Sequence, residues 1–170
     1  MIKLLGCILL TISCSLMGCL KANSYKERSR ELECIMEIIK LIDMYITYKK
    51  EPLSKTFHKV SECKKCWFSN ILDDCTKHIN NNNDLENAWK HAIKQHIDKC
   101  PLTDEDISII EDMILGLGKS DLDGQRRILE PILLRLEYNY KAASAKEKSL
   151  GKMYRTLGVA AGIVTTIIII

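Results

Sequence analysis

Residues 24–50 read SYKERSRELECIMEIIKLIDMYITYKK and contain neither glycine nor proline. An α-helix completes a turn in about 3.6 residues, so apolar residues spaced by three and four positions share one of its faces. The stretch has this spacing at Leu32, Ile35, Met36, Ile39, Ile42 and Ile46. It therefore predicts a long amphipathic helix that buries one side against other elements.

Helix start signals predict further helices downstream. Pro52 suits the first turn of a second helix, where its missing N–H costs nothing. Asp84 and Thr103 are good N-caps, and Asp106 follows Thr103 at the spacing of a capping box. The buried faces of the second to fifth helices are predicted at Leu53, Phe57 and Val60; Trp67, Phe68, Ile71, Leu72 and Ile79; Leu85, Ala88, Trp89, Ala92 and Ile93; and Ile107, Ile110, Ile114 and Leu117.

Gly116 and Gly118 are expected to end the fifth helix, since glycine readily adopts the positive φ of a helix C-terminus. Ser120 and Asp121 are candidate N-caps for a last helix. Pro131 lies inside that helix and predicts a kink or a break at Glu130. The buried face of the last helix is predicted at Leu122, Ile128, Leu129, Leu133, Leu136 and Tyr140.

No stretch alternates like a β-strand, so the fold class predicted is all-α, an antiparallel bundle of about six helices. Hydrophobic segments flank this bundle. Residues 2–20 carry one charge, Lys3, and residues 157–170 carry no ionisable side chain. As helices these runs would be about 28 Å and about 21 Å long, against a bilayer core of about 30 Å. The predicted domains are therefore an N-terminal transmembrane helix (1–21), a helical domain (22–156) and a C-terminal membrane segment (157–170).

Basic residues follow the first apolar run and precede the second. Such residues are retained on the cytoplasmic side of membrane segments, so the helical domain is predicted to face the cytoplasm. The basic residues are Lys21, Lys26, Arg28 and Arg30, and Lys146, Lys148, Lys152 and Arg155.

The N-terminus also permits a second interpretation. Residues 16–19, LMGC, resemble a lipoprotein cleavage box with Cys19 as the acylated residue. The alternative is therefore a lipoprotein or secreted helical binding module cleaved before Cys19. Export would place the five cysteines at 34, 63, 66, 75 and 100 in an oxidising space, where an odd number leaves one thiol unpaired.

Composition and motifs point away from several function classes. The net charge of +3 is too small to indicate nucleic-acid binding. The sequence has no phosphate-binding G-x-x-x-x-G-K-[ST] loop, and neither His91 nor His96 belongs to a nucleophile pattern. We therefore expect a non-enzymatic protein without cofactor or small-molecule substrate.

Two clusters of potential ligands are interpreted as structural. Cys63, Cys66, Cys75 and His78 have the residue types and pair spacing of a zinc site, but only eight residues separate the pairs, and we expect incidental thiols and no bound metal. The acidic cluster at Asp104, Glu105, Asp106, Glu111 and Asp112 mostly complements a helix dipole.

The segment 115–125, LGLGKSDLDGQ, resembles the LGxxLGxSDxxxQ segment of the stage III sporulation protein AB family. Other matches follow the order of that family. Tyr48, Pro52 and Leu53 resemble its tyrosine followed by TPL, Ala88-Trp89 its AW pair, and residues 152–158 its basic, aromatic lead into the last apolar segment. The resemblance covers nearly the whole chain.

This resemblance implies a location and partners. The family belongs to endospore-forming bacteria and lies in the mother-cell membrane around the engulfed forespore, as part of a multiprotein channel. Its helical domain resembles the cytoplasmic domain of inner-membrane platform proteins of type II secretion and type IV pilus machines. The implied partners are the ATPase of the channel complex, its other membrane subunits and the lipid bilayer.

The segment that carries the resemblance is the candidate site, with Gly116, Gly118, Ser120, Asp121 and Gln125 as its residues. Two interpretations stay open for it. It can be a structural corner, in which the glycines allow close helix approach and Gln125 returns a hydrogen bond. It can also be a partner-binding surface for the ATPase.

Overall fold

A computed structural model describes the backbone of residues 2–80, 84–119 and 122–169. The helices are α1 Ile2–Lys49, α2 Leu53–Cys63, α3 Trp67–Asn80, α4 Leu85–His96, α5 Asp104–Lys119, α6 Leu122–Lys146 and α7 Lys152–Ile169. A 3-10 turn at Ile97–Lys99 follows α4, and a π-helical turn at Glu147–Gly151 links α6 to α7. These residues contain no strand, which confirms the all-α prediction.

The chain divides into two compact units. The first comprises Met1–Ser29 and Lys141–Ile170, and the second comprises Arg30–Tyr140. The second unit contains most of the predicted buried faces. On α1, Leu32, Ile35, Ile39, Ile42 and Ile46 are at most 2% exposed, as predicted. Met36, Leu53 and Ile107 are only half-buried, whereas Ile38, Ile109 and Met113 lie in the core.

Two of the predicted helix caps are confirmed. The carboxylate of Asp84 accepts from the Leu85 N–H at 2.9 Å. Thr103 and Asp106 form the reciprocal capping box at the start of α5: the Thr103 N–H donates to Asp106 Oδ2 at 3.1 Å, and the Asp106 N–H donates to Thr103 Oγ1 at 3.4 Å. Pro52 immediately precedes α2 instead of lying in its first turn.

The ends of α5 and the course of α6 differ in part from the prediction. α5 continues through Gly116, which has no positive φ, and ends at Lys119, one residue beyond Gly118. A kink or a break was predicted at Glu130, and α6 continues through Pro131, so the helix has no break there. Pro131 and Arg127 are both exposed, so the proline lies on the side of α6 that faces solvent.

The first unit brings the start of α1 against α7. A Cβ at Gly18 would lie 2.6 Å from the Tyr154 carbonyl oxygen and 3.1 Å from Gly158 Cα, and a Cβ at Gly158 would lie 2.9 Å from the Cys14 carbonyl oxygen. Only glycine permits backbones this close. The Tyr25 and Tyr154 rings stack with centroids 5.9 Å apart. Within the described residues, no helix is both long enough and apolar enough to cross a membrane.

Candidate interaction site

The candidate site lies where α5 ends and α6 begins. Gly116 faces Ile128 of α6, and a Cβ at Gly116 would lie 3.1 Å from Ile128 Cδ1 and 3.2 Å from Cγ2. Gln125 Nε2 donates to the Leu117 carbonyl oxygen at 3.0 Å. Leu117 lies in the last turn of α5, and the last four carbonyls of an α-helix generally lack donors within the helix. Glycine packing and the glutamine bond thus tie the first turns of α6 to the end of α5.

The structure describes only part of the predicted site. Gly116 faces Ile128, and Gln125 is hydrogen-bonded to the backbone of Leu117, which is buried. Gly118 lies inside α5. Ser120 and Asp121 lie outside the described residues, so their roles as N-caps or partner contacts stay predictions.

We predict that Gln125→Ala lowers the free energy of unfolding by about 1 kcal/mol, because the Leu117 carbonyl loses a donor that solvent only partly replaces. Chemical denaturation followed by circular dichroism measures the change. Gln95→Ala is the matched control, since Gln95 is exposed on α4 and makes only a long 3.4 Å contact to His91. Equal effects at both positions would contradict the prediction.

The outer face of α6 carries exposed apolar side chains. Leu134 is 63% exposed and Tyr138 is 75% exposed. Arg127 and Pro131 are also exposed, and the spacing of the four residues places them on one side of the helix. Tyr and Arg are the residue types enriched where protein interfaces concentrate their binding energy. We call Arg127, Pro131, Leu134 and Tyr138 the α6 outer face.

The stripe predicted from the sequence describes the buried side of α6, and the outer face lies beside it. Tyr140, which that prediction placed on the buried side, is half-buried. The available signal was the pair Leu134 and Tyr138, which are four residues apart and lie off the stripe of Leu129, Ile132 and Leu136 that α6 buries.

The predicted cysteine and histidine cluster is not assembled as a metal site. Among the described residues, no group of three or more metal-ligating side chains is close enough to hold an ion. Cys63 is exposed and Cys75 is buried. The Cys66 thiol is hydrogen-bonded to Cys34 of α1, and the His78 ring lies 4.2 Å from the ring of His91.

Comparison with known proteins identifies the family. The sequence model of the family described as "Stage III sporulation protein AB" matches residues 3–170. The chain belongs to the stage III sporulation protein AB family. A curated relative, the "Stage III sporulation protein AB" of Bacillus subtilis (strain 168), is 21% identical over an alignment of 170 positions that covers 99% of each chain.

A solved structure, titled "Stage III sporulation protein AB (SpoIIIAB)", has the same fold. The TM-score is 0.66 at 17% sequence identity, and the match covers 72% of this chain and 98% of the other. Both comparisons agree with the resemblance that the LGLGKSDLDGQ segment indicates.

In this family member, Glu31 makes a contact that sequence reasoning missed. Glu31 is 8% exposed, and its carboxylate accepts from the Phe68 N–H at 2.8 Å and the Trp67 N–H at 3.2 Å. These groups are free donors at the N-terminus of α3, where a negative charge also meets the positive end of the helix dipole. Glu31 thus caps α3 from α1.

The cysteine environments predict different thiol reactivities. A hydrogen bond from the Cys66 thiol lowers the pKa of Cys34, although burial opposes this. Burial raises the pKa of Cys75 to about 12. Because the thiolate is the reactive species, we expect iodoacetamide to modify Cys34 at a lower pH than Cys75. Peptide mass spectrometry across a pH series measures both sites.

The variant Cys66→Ala tests whether the hydrogen bond from Cys66 lowers the pKa of Cys34. It removes the donor that stabilises the Cys34 thiolate, so alkylation of Cys34 should shift to higher pH. Cys63→Ala is the control, because Cys63 is exposed and should leave Cys34 unchanged. Unchanged Cys34 reactivity in Cys66→Ala would contradict the prediction.

Proposed function

We propose that the protein is a membrane-anchored structural component of the channel complex between mother cell and forespore. In this role it docks the cytoplasmic ATPase of the complex and its membrane subunits, and it has no catalytic activity of its own. The observation that carries the proposal is membership of the sporulation family over residues 3–170, which include both apolar ends and the helical unit between them.

The first unit supports anchoring at the two predicted membrane segments, 1–21 and 157–170. Exposed apolar side chains are costly in water and favourable in lipid. Exposure is 46–71% at Leu9, Ile12, Leu16, Met17 and Leu20 of α1 and at Leu157, Val159, Ile163, Val164 and Ile167 of α7. The Gly18–Gly158 approach also resembles the small-residue packing by which membrane helices associate.

The two apolar segments run antiparallel, because Cys14 meets Gly158 whereas Ala22, further along α1, meets Gly151. This antiparallel arrangement supports the proposal that the two segments enter one membrane side by side. With basic residues beside both segments, the helical unit is proposed to face the mother-cell cytoplasm.

The α6 outer face supports the docking part of the proposal. Leu134 and Tyr138 are large, exposed and adjacent on one helix, and Arg127 adds a cation that can pair with carboxylates. By analogy with the platform proteins of secretion machines, the partner proposed for this face is the hexameric ATPase.

Site-specific photo-crosslinking in sporulating cells tests this function. A crosslinker at Tyr138 or at Asp121 is expected to capture the ATPase, and one at Arg155 is expected to capture membrane subunits. Lys94 of α4 is the control, because it is exposed and lies on a different helix of the second unit. Equal capture of the ATPase at Lys94, or none at Tyr138 and Asp121, would overturn the docking proposal.

Mass spectrometry of the mature N-terminus tests the anchor. An intact N-terminal segment is expected. An acylated Cys19 at the mature N-terminus would replace the proposal with the lipoprotein alternative.

A further inference from the structure

A groove in the first unit is lined by basic side chains from two helices. It has a volume of about 280 Å³ and is bordered by Lys26 of α1, by Lys148 of the π-helical turn, and by Lys152 and Arg155 of α7. Glu147 is its single acidic lining residue. The groove therefore carries a clear excess of positive charge.

The four cations are not neutralised within the described chain. Neither Lys26 nor Lys148 lies in an ion pair among the described residues, and the same holds for Lys152 and Arg155. Four cations and one carboxylate, Glu147, line the groove, so its net positive charge attracts an anion.

The backbone explains why the charges converge. Gly18 and Gly158 bring α1 and α7 into backbone contact. Gly151 and Ala22 also line the groove, and Gly151 is buried beside the Ala22 carbonyl. The π-helical turn Glu147–Gly151 supplies Lys148, and π-helical turns occur frequently at functional sites.

We infer that this groove binds the phosphate group of an anionic glycerophospholipid. Exposed apolar side chains lie within a few residues of the groove on the same helices: Leu20 is 70% exposed, Met153 43% and Leu157 53%. A phosphate alone would use only the cations, whereas a phospholipid also places acyl chains against these side chains. The inference rests on the proposed membrane anchoring and names the lipid class that the anchor selects.

Vesicle flotation of the full-length protein tests the inference. The wild type is compared on neutral phosphatidylcholine vesicles and on vesicles that also contain phosphatidylglycerol. Two matched double variants each remove two positive charges: Lys26→Gln/Arg155→Gln in the groove, and Lys94→Gln/Lys99→Gln on the second unit, where both lysines are exposed.

The wild type and the Lys94→Gln/Lys99→Gln control should prefer phosphatidylglycerol vesicles. The groove variant should lose about tenfold in binding to these vesicles at low salt and keep its binding to neutral ones. Equal losses in both double variants would overturn the site, because they would show a general charge effect.

Three other outcomes would overturn the inference. If inorganic phosphate at low concentration displaces the protein from phosphatidylglycerol vesicles, the ligand is free phosphate. If the wild type binds neutral and anionic vesicles equally, the groove does not select anionic lipids, although the proposed membrane anchoring is still supported. If it binds neither, the proposed anchoring fails as well.

Discussion

Asp106→Ala is expected to lower the free energy of unfolding by about 3 kcal/mol, the largest effect of a single side chain that we predict. Asp106 has no exposed surface. Its Oδ2 accepts from the Thr103 hydroxyl at 2.8 Å and from the Thr103 N–H at 3.1 Å, and its Oδ1 accepts from Asn139 Nδ2 at 2.8 Å. One carboxylate thus caps α5 and joins it to α6.

The size of the effect follows from the groups left behind. Alanine leaves the Asn139 amide, which is 6% exposed, without its acceptor, at a cost of about 1–3 kcal/mol. It also removes the reciprocal half of the capping box, which contributes about 1 kcal/mol more. Asp106→Asn should cost less, because its carbonyl oxygen can still accept one of these bonds.

Denaturant unfolding of the full-length protein, followed by circular dichroism, measures the change. Asp104→Ala is the matched control. Asp104 lies in the same first turn of α5 but is exposed, so it contributes only a dipole interaction of about 0.5 kcal/mol. Similar losses at Asp104 and Asp106 would show that the buried bonds to Asn139 and Thr103 do not stabilise the fold.

Much of the second unit is predictable because the sequence patterns that determine its helices are local. The caps at Asp84 and Thr103 depend on side chains within three residues of the groups they bind, and such short patterns are visible in sequence. The buried stripe of α1 follows from helical spacing alone. Spacing does not predict how deeply each residue is buried, since Met36 at the edge of the stripe is only half-buried.

The errors arise where packing overrides local preference. Gly116 suggests a helix end, but the close approach of Ile128 requires a small residue there and leaves the helix intact. Pro131 suggests a break, but its position on the exposed side of α6 lets the helix continue. In both cases the deciding fact is which side of the helix faces a neighbour.

The candidate site and the groove likewise differ in how far the sequence predicts them. Its glycine and glutamine positions are visible in the LGLGKSDLDGQ segment, and the bond from Gln125 to Leu117 spans only eight residues. The basic groove needs Lys26 and Arg155, which are far apart in the chain, so no local pattern predicts that they share a cavity. Glu31 was missed for the same reason, since its contacts lie 36 and 37 residues away.

Glu31→Ala should lower the free energy of unfolding by about 2 kcal/mol, because the N–H groups of Trp67 and Phe68 lose a buried, charged acceptor. Glu31→Gln should lose about half as much, since its amide carbonyl can still accept one bond while the charge at the helix N-terminus is gone. Glu33→Ala is the control, because Glu33 lies two residues after Glu31 on α1 and its side chain is exposed.

Hydrogen exchange locates the effect. If Glu31 acts as a cap, Glu31→Ala should speed exchange at the amides of Trp67 and Phe68 under conditions in which the core of α1 remains protected. Glu33→Ala should leave both amides as they are in the wild type. Faster exchange throughout the second unit, with no excess at these two amides, would mean that Glu31 stabilises the fold by some means other than capping α3.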